Sequence, residues 1–167
     1  MTRIGILGAT GYTALELMKI LLRHPQAEIV ALTSRQEEQP HVSEVHPYLS
    51  GRLDIRLRKA SAAEVAGECD CIFSCLPHAA SAGAILPVLD HVRVVDFSAD
   101  YRLLDPASYS QWYGGDHPDP DRLGKVPYGL PELFRNEIRS ARLVANPGCY
   151  SSTAIMGLAP LLTRGWI

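Results

Sequence analysis

The stretch RIGILGATGYTALELMKIL, Arg3 to Leu21, decides how the rest of the chain is read. Arg3 to Leu7 is a short apolar run stopped by Gly8. Leu15, Met18, Leu21 and Leu22 then recur at helical spacing until Pro25. The pattern is strand, turn, helix. Glu28 to Leu32 (EIVAL) follows as a β-rich run and completes a βαβ unit, which places two parallel strands side by side.

Gly5, Gly8 and Gly11 fall where the strand ends and the helix begins. Free N–H groups and the helix dipole make that end positive, and glycines let a backbone approach phosphates without Cβ collisions. The spacing is G-x-x-G-x-x-G rather than the G-x-G-x-x-G of the regular dinucleotide fingerprint. The position between strand and helix still points to a nucleotide, with Gly8, Thr10, Gly11 and Tyr12 as candidate cofactor residues. An NAD-selecting domain would carry an acid at the end of the second strand. Here the segment is LTSR, so Ser34 and Arg35 are candidates for a 2′-phosphate and NADP is the expected cofactor.

Farther along, residues 36–51 are polar, show no apolar period and read as a surface excursion, and Leu53–Leu57 alternates like a half-exposed strand. A short helix near Ser61–Ala66, a strand over CIFSC, an Ala-rich helix from His78 to Leu89 and a strand over Val92–Phe97 follow. Ser98–Pro131 is rich in Gly, Pro and Asp and reads as loop, and Arg142–Asn146 supplies another short strand. This alternation predicts an α/β fold, a doubly wound, mostly parallel sheet of Rossmann type. Residues 1–145 are expected to form an NADP-binding domain. The last helix is apolar almost all round and needs neighbours on every side, so residues 146–167 are expected either to dock on their own domain or to begin a further part of a longer protein.

Composition narrows the class. The 167 residues are 47% hydrophobic with a formal net charge of −2, and 16 basic residues carry no basic block, which argues against a nucleic-acid partner. No apolar run is long enough to span a membrane and no signal sequence is evident, so a cytoplasmic protein acting on small solutes is expected. Three of the four cysteines, Cys69, Cys71 and Cys75, crowd a strand-like segment and read as small hydrophobes rather than metal ligands or disulfide partners.

Cys149 differs, because Pro147 and Gly148 end a strand sharply and leave it at the first turn of the next helix. Amides and dipole there favour a thiolate and can hold an oxyanion formed by attack on a carbonyl carbon. In a parallel sheet this turn shares an edge with the glycine turn, so the combination suggests hydride transfer through a covalent thioester. The competing expectation is a non-catalytic NADP-binding module in which Cys149 only packs.

The segments GILGATGYTALELMKIL, TSR, CLPHAAS, VVDFSADYRL, YGLPEL and ARLVANPGCY resemble the N-acetyl-γ-glutamyl-phosphate reductase family, within the aspartate-semialdehyde dehydrogenase-like class. The resemblance implies that Cys149 attacks an acyl phosphate and that NADPH reduces the thioester to a semialdehyde, in arginine biosynthesis. It implies a phosphate-holding role for Arg102, a nicotinamide-side position for Leu76, Pro77 and Ser81, an orienting role for Asn146, and no metal. It also implies a homo-oligomer in the full-length form. An aminoadipyl-phosphate reductase paralogue is the close alternative. Where the family often has Pro-Thr after Cys-Tyr, this chain has Ser151 and Ser152. The six histidines, His24, His41, His46, His78, His91 and His117, include no evident proton carrier; the resemblance places that base in a downstream domain, so these residues alone are expected to turn over little substrate.

Overall fold

The computed structural model describes residues 1–167. Strand β1 (Thr2–Leu7) leads into helix α1 (Tyr12–Leu21), which buries Ala14, Leu17, Met18 and Leu21 at the spacing of one helical face. Strand β2 (Ala27–Leu32) returns parallel to β1. With β3 (Cys71–Ser74), β4 (Arg93–Asp96) and β5 (Leu143–Ala145) it completes a five-stranded, all-parallel sheet of order β2-β1-β3-β4-β5. The order reverses direction between β1 and β3, which is the topological switch point of a doubly wound sheet.

Register places the functional edge. Leu7 pairs with Ser74, Ser74 with Asp96 and Asp96 with Ala145, so the four strands end on one row. The next residues, Gly8, Cys75, Phe97 and Asn146, therefore emerge side by side at the carboxyl edge. Apolar clusters cover both faces: Ile4, Ile6, Met18 and Leu32 belong to one, Leu7, Val65, Ile72 and Val94 to the other. At Gly5 a Cβ would come within 2.5 Å of Val65 Cγ1, so the missing side chain is what lets the Val65 helix approach the sheet.

The connections depart from the sequence expectations in four places. Residues 36–51 are not merely a surface excursion: they form helix α2 (Val42–Val45) and a 3-10 turn (Pro47–Leu49), and Val42 and Leu49 are wholly buried. Two anchors seven residues apart in a polar segment leave no detectable period. The expected strand over Leu53–Leu57 is absent; only isolated bridges join His41 to Arg56 and Thr33 to Arg58, and Leu57 alone is buried at its end. Helix α3 (Ala62–Ala66) forms as expected, capped by Ser61 and Glu64 in a reciprocal capping box. The Ala-rich helix shortens to α4 (Ser81–Ile85) plus a 3-10 turn (Leu86–Val88), because Ala79 has a φ of +61° that a helix cannot contain. The fourth departure is in the loop-rich stretch, which contains α5 (Pro106–Tyr113). Asp105 caps its start, Pro106 occupies the first turn and Gly114 ends it in the left-handed region at φ 75°.

Helix α6 (Pro131–Ser140) precedes β5, and α7 (Cys149–Thr163) follows it. Neither contains a buried residue. Leu158 and Leu162 of α7 are exposed, as are Leu133 and Phe134 of α6. No helix is long and apolar enough to cross a membrane.

Candidate functional site

The glycine turn is shaped by contacts that few other residues would tolerate. Gly8 has a φ of +74°, and a Cβ there would stand 2.9 Å from the Cys75 carbonyl oxygen on the neighbouring strand exit. The exit of β2 holds the turn from the other side: Ala9 N–H donates to Thr33 O at 2.8 Å and Gly8 N–H to Thr33 Oγ1 at 3.4 Å. Gly11 caps α1 without a side-chain bond, there is no acid in the first turn, and a Cβ on Gly11 would meet nothing within 4 Å. The amides at this helix start thus have no acceptor supplied by a side chain, and the space beside Gly11 is unfilled.

Beside them lies a cleft of about 460 Å³ at the switch point. Of the candidate cofactor residues, Gly8, Thr10, Gly11, Ser34, Arg35, Leu76 and Pro77 line it. Two do not. Tyr12 is 88% exposed and borders a shallow groove with Leu17 and Phe97. Ser81 is completely buried, donating its hydroxyl to Asp96 Oδ1 at 2.6 Å and sharing a 2.7 Å bond with Ser74. The cleft also holds Lys59, which sequence reasoning passed over and which is ion-paired with Glu37. Its signal was a basic pair, Arg58-Lys59, directly after Leu57. Arg35 and Lys59 are the charged residues of the lining, and no carboxylate joins them.

The motifs CLPHAAS and DFSADYRL clasp one another at the exits of β3 and β4. Asp100 Oδ1 accepts the Ala79 N–H at 2.8 Å and Oδ2 accepts the Ala82 N–H at 2.9 Å, so this carboxylate holds the left-handed Ala79 and caps the start of α4. His78 Nδ1 accepts the Ala99 N–H at 3.0 Å. Asp96 accepts from Ser81, from the Ser98 hydroxyl at 2.7 Å and from the Ser98 N–H at 3.0 Å. Burial pushes the Asp96 carboxyl above the usual carboxylate value, and those serine hydrogen bonds oppose the shift.

Cys149 is exposed at the first position of α7, after the cap residue Gly148. The hydroxyls of Ser151 and Ser152 both donate to Gly148 O, at 2.9 and 2.8 Å, and Ser151 shares a 3.0 Å bond with Tyr128. Asn146 N–H donates to Asp96 O at 2.8 Å, and its side chain bonds to Pro147 O. Arg102 is committed to this turn: Nε donates to Asn146 O at 2.9 Å and Nη2 to Phe97 O at 2.7 Å. Nη1 lies against Gly148, 3.1 Å from where a Cβ would be. Two of the three guanidinium nitrogens therefore brace backbone, and only Nη1 faces the start of α7.

The remaining cysteines differ in kind. All are partly buried and free; burial pushes the Cys71 thiol up to about 11 and the Cys75 thiol up to about 12. None of the histidines lines the cleft. His117 is buried against Tyr101 and Tyr109, His41 caps α2, and His46 reaches the glycine turn from the polar segment.

Comparison with known proteins agrees with this geometry. Residues 3–141 match the family described as semialdehyde dehydrogenase, NAD binding domain. An N-acetyl-gamma-glutamyl-phosphate reductase of Rhodopirellula baltica is 51% identical over 99% of the chain and 48% of its own length. A putative LysW-L-2-aminoadipate/LysW-L-glutamate phosphate reductase of Cenarchaeum symbiosum is 42% identical over the same shares. The chain spans about half the length of the curated relatives it matches. Among solved structures, aspartate semialdehyde dehydrogenase of Candida albicans with NADP superposes with a TM-score of 0.68 at 19% identity, covering 98% of this chain and 47% of that one. The glycine turn, the switch-point cleft and the clasped strand exits are thus features of a chain that belongs to the semialdehyde dehydrogenase family, through its NAD-binding domain.

Proposed function

We propose that this chain binds NADP(H) in the β1–β3 cleft and supplies the nucleophile, Cys149, of a reductase that converts N-acetyl-γ-glutamyl phosphate to its semialdehyde. One observation carries the reading: Gly8, Cys75, Phe97 and Asn146 leave the sheet on one row, so the cleft and the Cys149 turn share an edge. At about 4.8 Å per strand, β5 lies roughly 14 Å along that edge from β1.

The residues present fit the cofactor. The unfilled space at Gly11 and the amides beside it suit a pyrophosphate, while Ser34 and Arg35 suit a 2′-phosphate, with Lys59 adding positive charge once it exchanges Glu37 for the ligand. The NADP named with the Candida albicans structure agrees with that choice. When bound, the cofactor supplies a hydride. The protein's own part begins with the Cys149 thiolate, which attacks the acyl carbon and forms a C–S bond as the C–O bond to phosphate breaks and phosphate leaves. Amides at the start of α7 stabilise the oxyanion, and Arg102 Nη1 adds positive charge there. After reduction the C–S bond breaks, the aldehyde departs and the thiolate is restored.

Residues 1–145 are read as the NADP-binding part and 146–167 as the opening of a catalytic part. Helix α7 carries Cys149 and, like α6, buries none of its residues, so it adds nothing to the core of the sheet. The aminoadipyl-phosphate reading has support in the relative from Cenarchaeum symbiosum.

The deciding experiment follows NADPH oxidation and phosphate release by the full-length form, which includes the downstream catalytic part, with N-acetyl-γ-glutamyl phosphate and, separately, the carrier-linked aminoadipyl phosphate. Equal release of phosphate and NADP+, abolished in Cys149→Ser, is expected with the first substrate. Turnover of the second alone would move the substrate assignment, and NADP binding with no turnover of either would favour a non-catalytic module.

A further inference from the structure

His46 lies in the polar segment between α2 and the 3-10 turn, yet it is 6% exposed and its Nε2 makes a 2.8 Å bond to Ala9 O, in the middle of the glycine turn. An acceptor carbonyl requires that Nε2 carry the proton. Val42 and Leu49, on either side in sequence, are wholly buried and pin the segment to the α1 face of the sheet. The imidazole is therefore held rather than free to choose its partner.

We infer that His46 is a positioning residue for the cofactor's pyrophosphate, acting by aiming the Thr10 N–H into the cleft. The carbonyl of Ala9 and the N–H of Thr10 belong to one planar trans peptide, so they point in opposite directions. Drawing the carbonyl inward to His46 turns the amide outward, to the side on which Thr10 and Gly11 line the cleft. That N–H finds no backbone acceptor in the protein. The preceding amide, Ala9 N–H, is already taken by Thr33 O, so both polar groups of Ala9 are fixed from opposite neighbours and the Thr10 peptide plane has little freedom left. Without the imidazole the Ala9 carbonyl would be a buried acceptor lacking its partner, and rotation of the peptide toward solvent would present oxygen to the phosphates instead of N–H.

This inference rests on the cofactor reading above, and the test separates the two. Affinities of the 167-residue chain for NADP+, NAD+ and 2′-AMP are measured by calorimetry for wild type, His46→Leu and His46→Gln. The 2′-AMP probe carries the 2′-phosphate but no pyrophosphate, so it reports on the Ser34–Arg35 end and on whether the cleft is intact. His46→Leu is expected to weaken NADP+ and NAD+ by the same factor, about tenfold, while 2′-AMP changes by less than about twofold; His46→Gln, which restores an N–H donor, recovers most of the loss. Unchanged NADP+ affinity in His46→Leu, or a parallel fall in 2′-AMP affinity, would overturn the inference alone. Wild-type protein that takes up none of the three would overturn the cofactor reading, and this inference with it.

Discussion

Arg102 Nε donates to the carbonyl oxygen of Asn146 at 2.9 Å, 44 positions away in sequence, and ties the exit of β4 to the turn that carries Cys149. With Nη2 on Phe97 O the guanidinium spans two strand exits. Arg102→Ala should cost about 1–3 kcal/mol of stability, because half-buried carbonyls lose their donors. It should also slow alkylation of Cys149. Arg102→Lys, which lacks the fork, should recover only part of both. Thermal melts together with iodoacetamide kinetics check this, and a lysine variant indistinguishable from wild type would contradict it.

Two glycines of the same turn should behave oppositely. Gly8→Ala forces a side chain into φ +74° and toward the Cys75 carbonyl, so a loss of about 1–3 kcal/mol is expected. Gly11→Ala meets no protein atom and has an ordinary backbone, so stability should change by less than about 0.5 kcal/mol. Its added methyl enters the space assigned to pyrophosphate, and NADP+ affinity should fall. Chemical denaturation and calorimetry on the two variants test the contrast.

Cysteine labelling should be ordered by burial. At mildly alkaline pH Cys149, the exposed thiol, should react first; Cys71 and Cys75, pushed up to about 11 and about 12 by burial, should react only when the protein opens. Mass spectrometry of a timed iodoacetamide reaction reads this directly. Early modification of Cys75, which borders the cleft, would mean that the β3 exit is looser than described.

The sequence made the glycine turn, the first βαβ unit and the Cys149 helix start legible, because each is set by local chemistry: Gly where a Cβ would strike Cys75, an apolar stripe on α1, Pro-Gly before a helix. It misplaced contributions made by tertiary contact. Val42 and Leu49 look like strays in a polar segment, and only the sheet shows that they anchor it and carry His46 to the turn. Ser81 reads as a pocket residue but is consumed by Asp96, and Tyr12 points away from the cleft. Helix α5 sits in a stretch whose Gly, Pro and Asp content resembles a loop, although Asp105-Pro106 and Gly114 mark both of its ends. Lys59 comes to the cleft across a long connection, and its basic pair with Arg58 marks a charged spot without showing where the fold carries it.

Asp96 should make stability depend on pH in an unusual sense for a carboxylate. Its raised value means that the folded state keeps a proton the unfolded chain has released, so its contribution falls as pH rises from about 3.8 through that raised value. Exposed Glu64 and Asp105 shift the other way but are common to both proteins compared. The stability of Asp96→Asn relative to wild type should therefore improve with rising pH across the window. A pH-independent difference between the two melting curves would contradict this.

The most direct test of the account is a crystal structure of the protein with NADP+ bound. Pyrophosphate is expected on the Thr10 and Gly11 amides, the 2′-phosphate against Ser34 and Arg35, and the nicotinamide ring beyond Pro77 on the side facing Cys149. A dinucleotide seated elsewhere on the sheet, or a nicotinamide turned away from Cys149 toward β2, would contradict it.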